Sequence, residues 1–299
     1  MTSIKILTDS ASDITRQEAE ESSIHLFHFP FIMEGETFHD GVDFTPDELY
    51  QALERARTMP THAQITMFEY REAFSRSYQE GYTDLIYVCI NGSGSGTINA
   101  ARLAKEEFFA EHPEANGFSI HILDSRTYTM AYGFPVLEAA AKARRDCSVT
   151  EILSYLEDQI GRAHIFFAPY TLRFVKKSGR VSAAAAFAGE LMGLRPLITF
   201  EDGNSKILSK VRGEKAIIPE LLKLAQKTMV PQTPYGIVYG SLQEPAEELA
   251  HAAEKMFGAK PAYLKKIGAM ISINAGPRVI AIIVSGKHGR AESIGQQLP

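Results

Sequence analysis

A chain of 299 residues, 45% hydrophobic and 22% charged, has the profile of a globular protein with a full core, long enough for two ordinary domains. Its net charge of −5 argues against a nucleic-acid or anionic-membrane surface, because both need a basic face to displace counterions. No run of about 18 apolar residues occurs, so no membrane-inserted helix is expected.

The start, Met1 to Ser10, reads as a first strand and its polar exit, without the basic segment and apolar stretch of a signal peptide. The two cysteines, Cys89 and Cys147, suggest neither a disulfide framework nor a metal site, so the expected location is cytoplasmic.

The first half alternates strands with helical patterns. Ile4–Leu7 is an apolar strand, 13–21 a polar helix, and Ile24–Met33 a second extended run. Thr45 with Pro46 opens a helix to Arg57. Thr66-Met67-Phe68-Glu69 has capping-box spacing ahead of apolar positions at helical intervals. Asp84–Ile90 is a buried strand, 91–97 a glycine-rich turn, and Ile98–Phe109 a helix. Ser119–Leu123 is a strand ending at Asp124-Ser125, the stretch 129–145 is Ala-rich and helical, and Ser148 to Glu151 is a second capping box. Such alternation implies a mostly parallel sheet with helices on both faces.

After a boundary near residue 165 the character changes. His164–Ala168 is a strand, followed by the basic turn Lys176–Arg180 and a helix of small residues over Ala183–Leu191. Pro196–Phe200 and Ser205–Val211 flank a hairpin turn, and Lys215–Lys227 and Pro245–Phe257 are helices. Tyr235–Tyr239, Ala262–Ile273 and Val279–Val284 are further strands, with 274–278 as a turn between the last two. The expected fold is thus an α/β domain over residues 1–165 and an α+β domain with a mixed sheet over 166–299.

Gly92-Ser93-Gly94-Ser95-Gly96-Thr97 follows a buried strand and opens a helix. Backbone N–H groups and the helix dipole attract negative charge there, and the hydroxyls add donors. In a parallel sheet this is the carboxyl edge, where ligands bind; the alternative is a connector capped by Thr97. The spacing fits neither a dinucleotide fingerprint nor a Walker A loop. Ser95 lacks the flanking glycines of a nucleophile elbow, which weakens a hydrolase reading. Thr61 and His62 fall in a loop beside the same edge. Asp9-Ser10 and Asp124-Ser125 end strands and either line the same cleft or form Asx turns and caps. No metal-ligand spacing is present.

Together these segments resemble the DegV family, which includes the fatty-acid-binding subunits of bacterial fatty acid kinase. The opening IKILTDSASDIT, then GSGSGTINAA, ILDSRTYTMAYG, LRFVKKSGRVS, LRPLITFEDG, KVRGEKAI and INAGP follow in the family's order across the chain. The resemblance implies a non-enzymatic, cofactor-free carrier of a long-chain fatty acid. Its carboxylate would lie in the cleft, presented to the ATP-binding kinase subunit for acyl phosphate formation that feeds phospholipid synthesis.

Carried over by position, Ser95 is the expected carboxylate ligand, Arg180 the cleft arginine and Arg212 the kinase-docking residue; Gly96, Thr97, Thr61, His62 and Asn274 complete the expected ligand set. The chain departs from the family at Thr61-His62-Ala63-Gln64, where Thr-Ser-Gln is common, and at Asn274-Ala275, where many carriers have a histidine before Gly-Pro. His62 is expected to replace that histidine from across the cleft, and Arg278 to add a charge near the headgroup. The Ala-rich stretches 139–143 and 183–188 are expected to leave room for the tail. A phosphotransferase using the glycine-rich loop, and a lipid-responsive regulator, stand as alternatives.

Overall fold

The computed structural model describes residues 3–185 and 193–287. Strand β1 (Ile4–Asp9) leads through a 3-10 turn at Ser10–Ser12 into helix α1 (Arg16–Glu21) and strand β2 (His25–Phe27). Next come β3 (Pro30–Met33), β4 (Glu36–His39), α2 (Pro46–Arg55), β5 (Thr61–His62), α3 (Met67–Gln79), β6 (Asp84–Cys89) and α4 (Thr97–Glu111). β7 (Ser119–Asp124), α5 (Met130–Ala143) and α6 (Val149–Arg162) complete the first half.

The first sheet has order β2-β1-β6-β7 and is parallel throughout. All but the first residue of β6 are buried, as expected for a strand covered on both faces. Helix starts obey the capping chemistry of the sequence. Glu69 N donates to Thr66 Oγ1 at 3.3 Å while Thr66 N donates back to Glu69 at 2.8 Å, and Ser148 with Glu151 repeats the pattern.

The chain enters the second sheet with β8 (Ala163–Pro169), then forms the short helices α7 (Val175–Ser178) and α8 (Ser182–Ala185). The remainder of the small-residue helix expected to reach Leu191 lies outside the described residues. β9 (Leu194–Glu201), β10 (Asn204–Arg212), α9 (Ile217–Thr228), β11 (Tyr235–Tyr239), α10 (Gln243–Phe257), β12 (Tyr263–Lys266), α11 (Ala269–Ala275) and β13 (Val279–Ser285) follow.

The second sheet is mixed, in the order β10-β9-β8-β13-β11-β12. One face carries α9 and α10. The other packs with α2, α5 and α11 and contributes Ile165, Phe167, Val279, Ala281 and Ile283 to a core shared between the two halves of the molecule. The hairpin between β9 and β10 turns on Asp202 and Gly203, both at positive φ as a two-residue turn of this kind requires.

Three expectations are corrected. The extended run 24–33 is two strands in different sheets: β2 pairs with β1, whereas β3 pairs with β4 and β5 in a small antiparallel sheet. The strand expected over 262–273 stops at Lys266, and Ala269–Ala275 is helical. Asn274 therefore sits in the last turn of α11, not in a turn between strands. The first helix begins at Arg16, capped by Thr15, because Ser10–Ser12 form a 3-10 turn.

Candidate functional site

Helix α11 is set by groups far away in sequence. Its N-cap, Gly268, has no side chain, so the exposed amides find acceptors elsewhere. Gly268 N donates to Asp13 Oδ1 at 2.7 Å, Ala269 N to Asp40 Oδ1 at 2.7 Å and Met270 N to Asp40 Oδ2 at 3.3 Å. A Cβ on Gly268 would stand 2.8 Å from Asp40 Oδ1 and 3.2 Å from Asp13 Oδ1, so only glycine admits both carboxylates. Burial raises the pKa of Asp13 to about 7 and moves that of Asp40 upward. Asp13 also accepts from the Thr129 hydroxyl, which fixes Thr129 at φ 54° ahead of α5.

This clamp places α11 over the inner face of the second sheet, with a cavity of about 750 Å3, its mouth included, between them. Ile165, Phe167, Phe200, Val238, Val279 and Ala281 supply an apolar wall from the sheet. At the polar end stand His62, Ser95, Arg180 and Asn274, from four separate parts of the chain.

Asn274 Nδ2 donates to Met270 O at 2.7 Å, which orients the amide, and lies 3.3 Å from His62 Nε2. A nitrogen that meets an amide N–H is an acceptor, so the His62 ring carries its proton on Nδ1. Burial, then the Arg180 charge, hold the His62 pKa below its usual value. Ser95 Oγ accepts from Thr97 N at 3.3 Å, which leaves its hydroxyl hydrogen to donate. The Arg180 guanidinium bonds Gly94 O at 3.4 Å and Ser178 O at 3.1 Å through Nε and Nη1. Two neutral donors and one cation around an apolar chamber suit a carboxylate with a greasy tail.

The glycine-rich loop departs from expectation. Its glycines make room for side chains of this chain rather than for a ligand. A Cβ at Gly92 would meet Asp124 Oδ2 at 2.7 Å, at Gly94 the Tyr128 hydroxyl at 2.6 Å, and at Gly96 the Gln64 side chain at 2.2 Å. Several loop amides are already used: Gly92 N by Asp124, Ser93 N by Asn91 Oδ1 and Gly94 N by Asn91 O. Asn91 in turn donates to Tyr128 and to Gly203 O at 2.8 Å, which ties the loop to the β9–β10 hairpin.

The remaining expected residues scatter. Thr61 is exposed on β5, paired with Ile32 and off the cavity wall, although its neighbour His62 is on it. Thr97 is the first residue of α4, with Gly96 as its N-cap; its Oγ1 is buried without a partner and does not reach the wall. Arg278 is exposed and off the wall. Arg212 closes the exposed face of β10, the edge strand. Asp124 forms an Asx turn with Arg126 N at 2.8 Å, and Asp9 is fully buried against Tyr132 and Ile90 N. The alanines at 139 and 140 pack in the first core, not along the cavity. Tyr128, Thr129 and Phe200, which sequence reasoning missed, all line it.

Residues 3–287 match the DegV family, described as uncharacterised protein. The chain belongs to the DegV family. It is similar to a DegV domain-containing protein of Clostridium perfringens, 27% identical over 93% of this chain and 97% of the relative. A second relative, from Deinococcus radiodurans, is 26% identical over 94% and 97%.

Among solved DegV-like folds, a fatty-acid-binding DegV family protein from Thermus thermophilus superposes with TM-score 0.83 at 24% identity, covering 95% of this chain and all of the other. A stearic acid-binding protein from Eubacterium ventriosum gives TM-score 0.83 at 22% identity over 98% of this chain and all of the other. Among the described residues no helix is long and apolar enough to cross a membrane, and no group of three His, Cys, Asp or Glu side chains is placed to hold a metal.

Proposed function

We propose that this DegV protein binds a long-chain fatty acid, tail in the interdomain cavity and carboxylate among Ser95, His62, Arg180 and Asn274. The carrying observation is the single chamber that joins an apolar sheet face to those four polar side chains. Fatty-acid binding by the Thermus and Eubacterium proteins of the same fold supports it.

Burial of about fourteen methylenes contributes about 11 kcal/mol, against about 4–15 kcal/mol for lost freedom on association. The tail therefore supplies the bulk of affinity, and the head needs only enough donors to offset desolvation. His62, in contact with Asn274, takes over the role of the family's missing histidine in this reading. Carrying the acid to an ATP-binding kinase subunit, with Arg212 on the exposed edge as the docking residue, follows from the family resemblance.

A phosphotransferase built on the glycine-rich loop is disfavoured. A phosphate cradle needs free backbone amides, and those of Gly92, Ser93 and Gly94 are engaged within the chain.

Native mass spectrometry of the purified protein tests the reading: a co-purified acid of fatty-acid mass is expected. Its absence after incubation with tetradecanoate and with octadecanoate, with unchanged thermal stability, refutes it. Ser95→Ala is expected to lower acyl phosphate formation when the kinase subunit and ATP are added; an unaltered rate removes Ser95 from the headgroup site.

A further inference from the structure

A second cavity, about 870 Å3 with its mouth included, lies on the same face of the second sheet. Successive rows of that face can be followed through the strand register. Phe167, Ala281 and Val238 form one row and line the first cavity. The next row is Ile165, Ile283, Gly236 and Tyr263. Here the walls change owner: Ile165 faces the first cavity, while Ile283 and Tyr263 face the second. Ala163 and Ser285, one row further, belong to the second alone. Across from the sheet the same change runs along the start of α5, from Thr129 in the first cavity to Met130 and Ala131 in the second.

The ring of Tyr263 stands at this boundary, on the second cavity's wall. A Cβ on Gly236 would fall 1.9 Å from the Tyr263 ring, so the tyrosine lies flat across its glycine partner and over the sheet face toward Ile283. Phe134 packs on it at 5.4 Å between centroids. Among the described residues its hydroxyl reaches only Met130 O, at 3.5 Å, too long for a strong hydrogen bond, and burial drives its pKa upward. Packing, more than this contact, holds the side chain.

We infer that Tyr263, with Met130 facing it, is the floor of the acyl cavity and sets the tail length that is bound, the second cavity being the overflow for longer tails. This deepens the carrier reading and rests on it. A strand advances about 3.4 Å per residue over three backbone bonds, so an extended acyl chain lying along it passes about three carbons per residue. From the row of Val279 to that of Ile283 is four residues, which accommodates about twelve carbons beyond the headgroup. The two further residues to Ser285 add about six.

The test is competition. Delipidated protein is offered an equimolar mixture of saturated acids from dodecanoic to eicosanoic, and occupancies are read by native mass spectrometry. Tyr263→Ala is expected to raise the ratio of octadecanoate to tetradecanoate bound by tenfold or more, while Tyr263→Phe, which keeps the ring, leaves it unchanged. Met130→Ala opens the partition from the helix side and moves the ratio the same way should Tyr263→Ala fail to fold. Unchanged ratios in folded variants that still bind acids overturn the floor. Failure of the parent protein to bind any acid overturns the carrier reading instead.

Discussion

Asp40→Ala is the sharpest probe of how the site is assembled. The Asp40 carboxylate accepts from two consecutive amides of α11, at 2.7 and 3.3 Å, across 229 and 230 residues of sequence. Loss of a capping carboxylate costs about 0.5–2 kcal/mol. Each buried amide left without an acceptor adds about 1–3 kcal/mol. The carboxylate's own burial, visible in its raised pKa, offsets part of this, since removing it also removes a desolvated group.

The expected net loss is about 2–4 kcal/mol, with Asp40→Asn, which keeps one acceptor oxygen, losing about half. Urea unfolding at pH 7 measures it, and the slope with urea is expected to stay constant because the surface exposed on unfolding does not change. Amide exchange at Ala269 and Met270 is expected to quicken beyond the global effect. An alanine variant within about 0.5 kcal/mol of the parent, with unaltered exchange at those amides, refutes the claim that this carboxylate seats the helix.

Gly268→Ala forces a methyl group to within 2.8 Å of Asp40 Oδ1 and 3.2 Å of Asp13 Oδ1, so a loss of about 1–3 kcal/mol is expected in thermal or urea unfolding; a neutral result means the carboxylates move aside freely. Asp13 holds its proton to about pH 7 in the fold, whereas an unfolded aspartate loses it near pH 4. Between those values the folded state binds more protons, so this residue's contribution to stability falls as pH rises, by about 1.4 kcal/mol per pH unit. The stability of the parent relative to Asp13→Asn, followed from pH 4 to 7, is expected to decline; a flat or rising difference contradicts the shift. Cys89 is fully buried with its thiol pKa driven up, while Cys147 is half-exposed. One equivalent of a thiol reagent is expected to react in the native protein and two in denaturant.

What the sequence reveals is the part written in local chemistry. The boxes at Thr66 and Ser148, the Asp202-Gly203 turn and the buried run of β6 each carry their signal within a few residues, and each is found where it was read. Helix α11 carries no such signal. Ile267, Ala269, Met270 and Ile271 form an apolar run that fits a buried strand as well as a buried helix, and the choice is made by Asp13 and Asp40, more than two hundred residues away.

The site divides on the same principle. Thr61 and His62 are adjacent, yet successive strand residues face opposite sides, and the pairing with Phe31 that fixes the side is not local. Thr97 looks like a ligand hydroxyl by composition, but the first turn of α4 directs it inward. The cavity wall is invisible in sequence because its residues alternate as any sheet core does. A chamber and a filled core share one pattern.

The glycine-rich loop shows how a familiar motif serves a different end here. Three glycines beside a helix start suggest a phosphate cradle, and in such a cradle the backbone itself binds the ligand. In this chain Asp124, Tyr128 and Gln64 occupy the space the missing side chains leave. The loop is consequently stiffened from behind, by Asn91 and the β9–β10 hairpin as well, and what it offers the cavity is one hydroxyl, that of Ser95.

A rigid loop with a single donor, met by a neutral histidine and a lone arginine, is weak as an anion trap taken alone. It becomes sufficient when the apolar wall supplies most of the binding free energy and the head has only to be held in register. The division of labour that follows is testable by shortening the ligand rather than the protein: each pair of methylenes removed from the tail should weaken binding about tenfold, at about 0.8 kcal/mol per methylene, whereas esterifying the carboxylate should cost far less than removing half the tail.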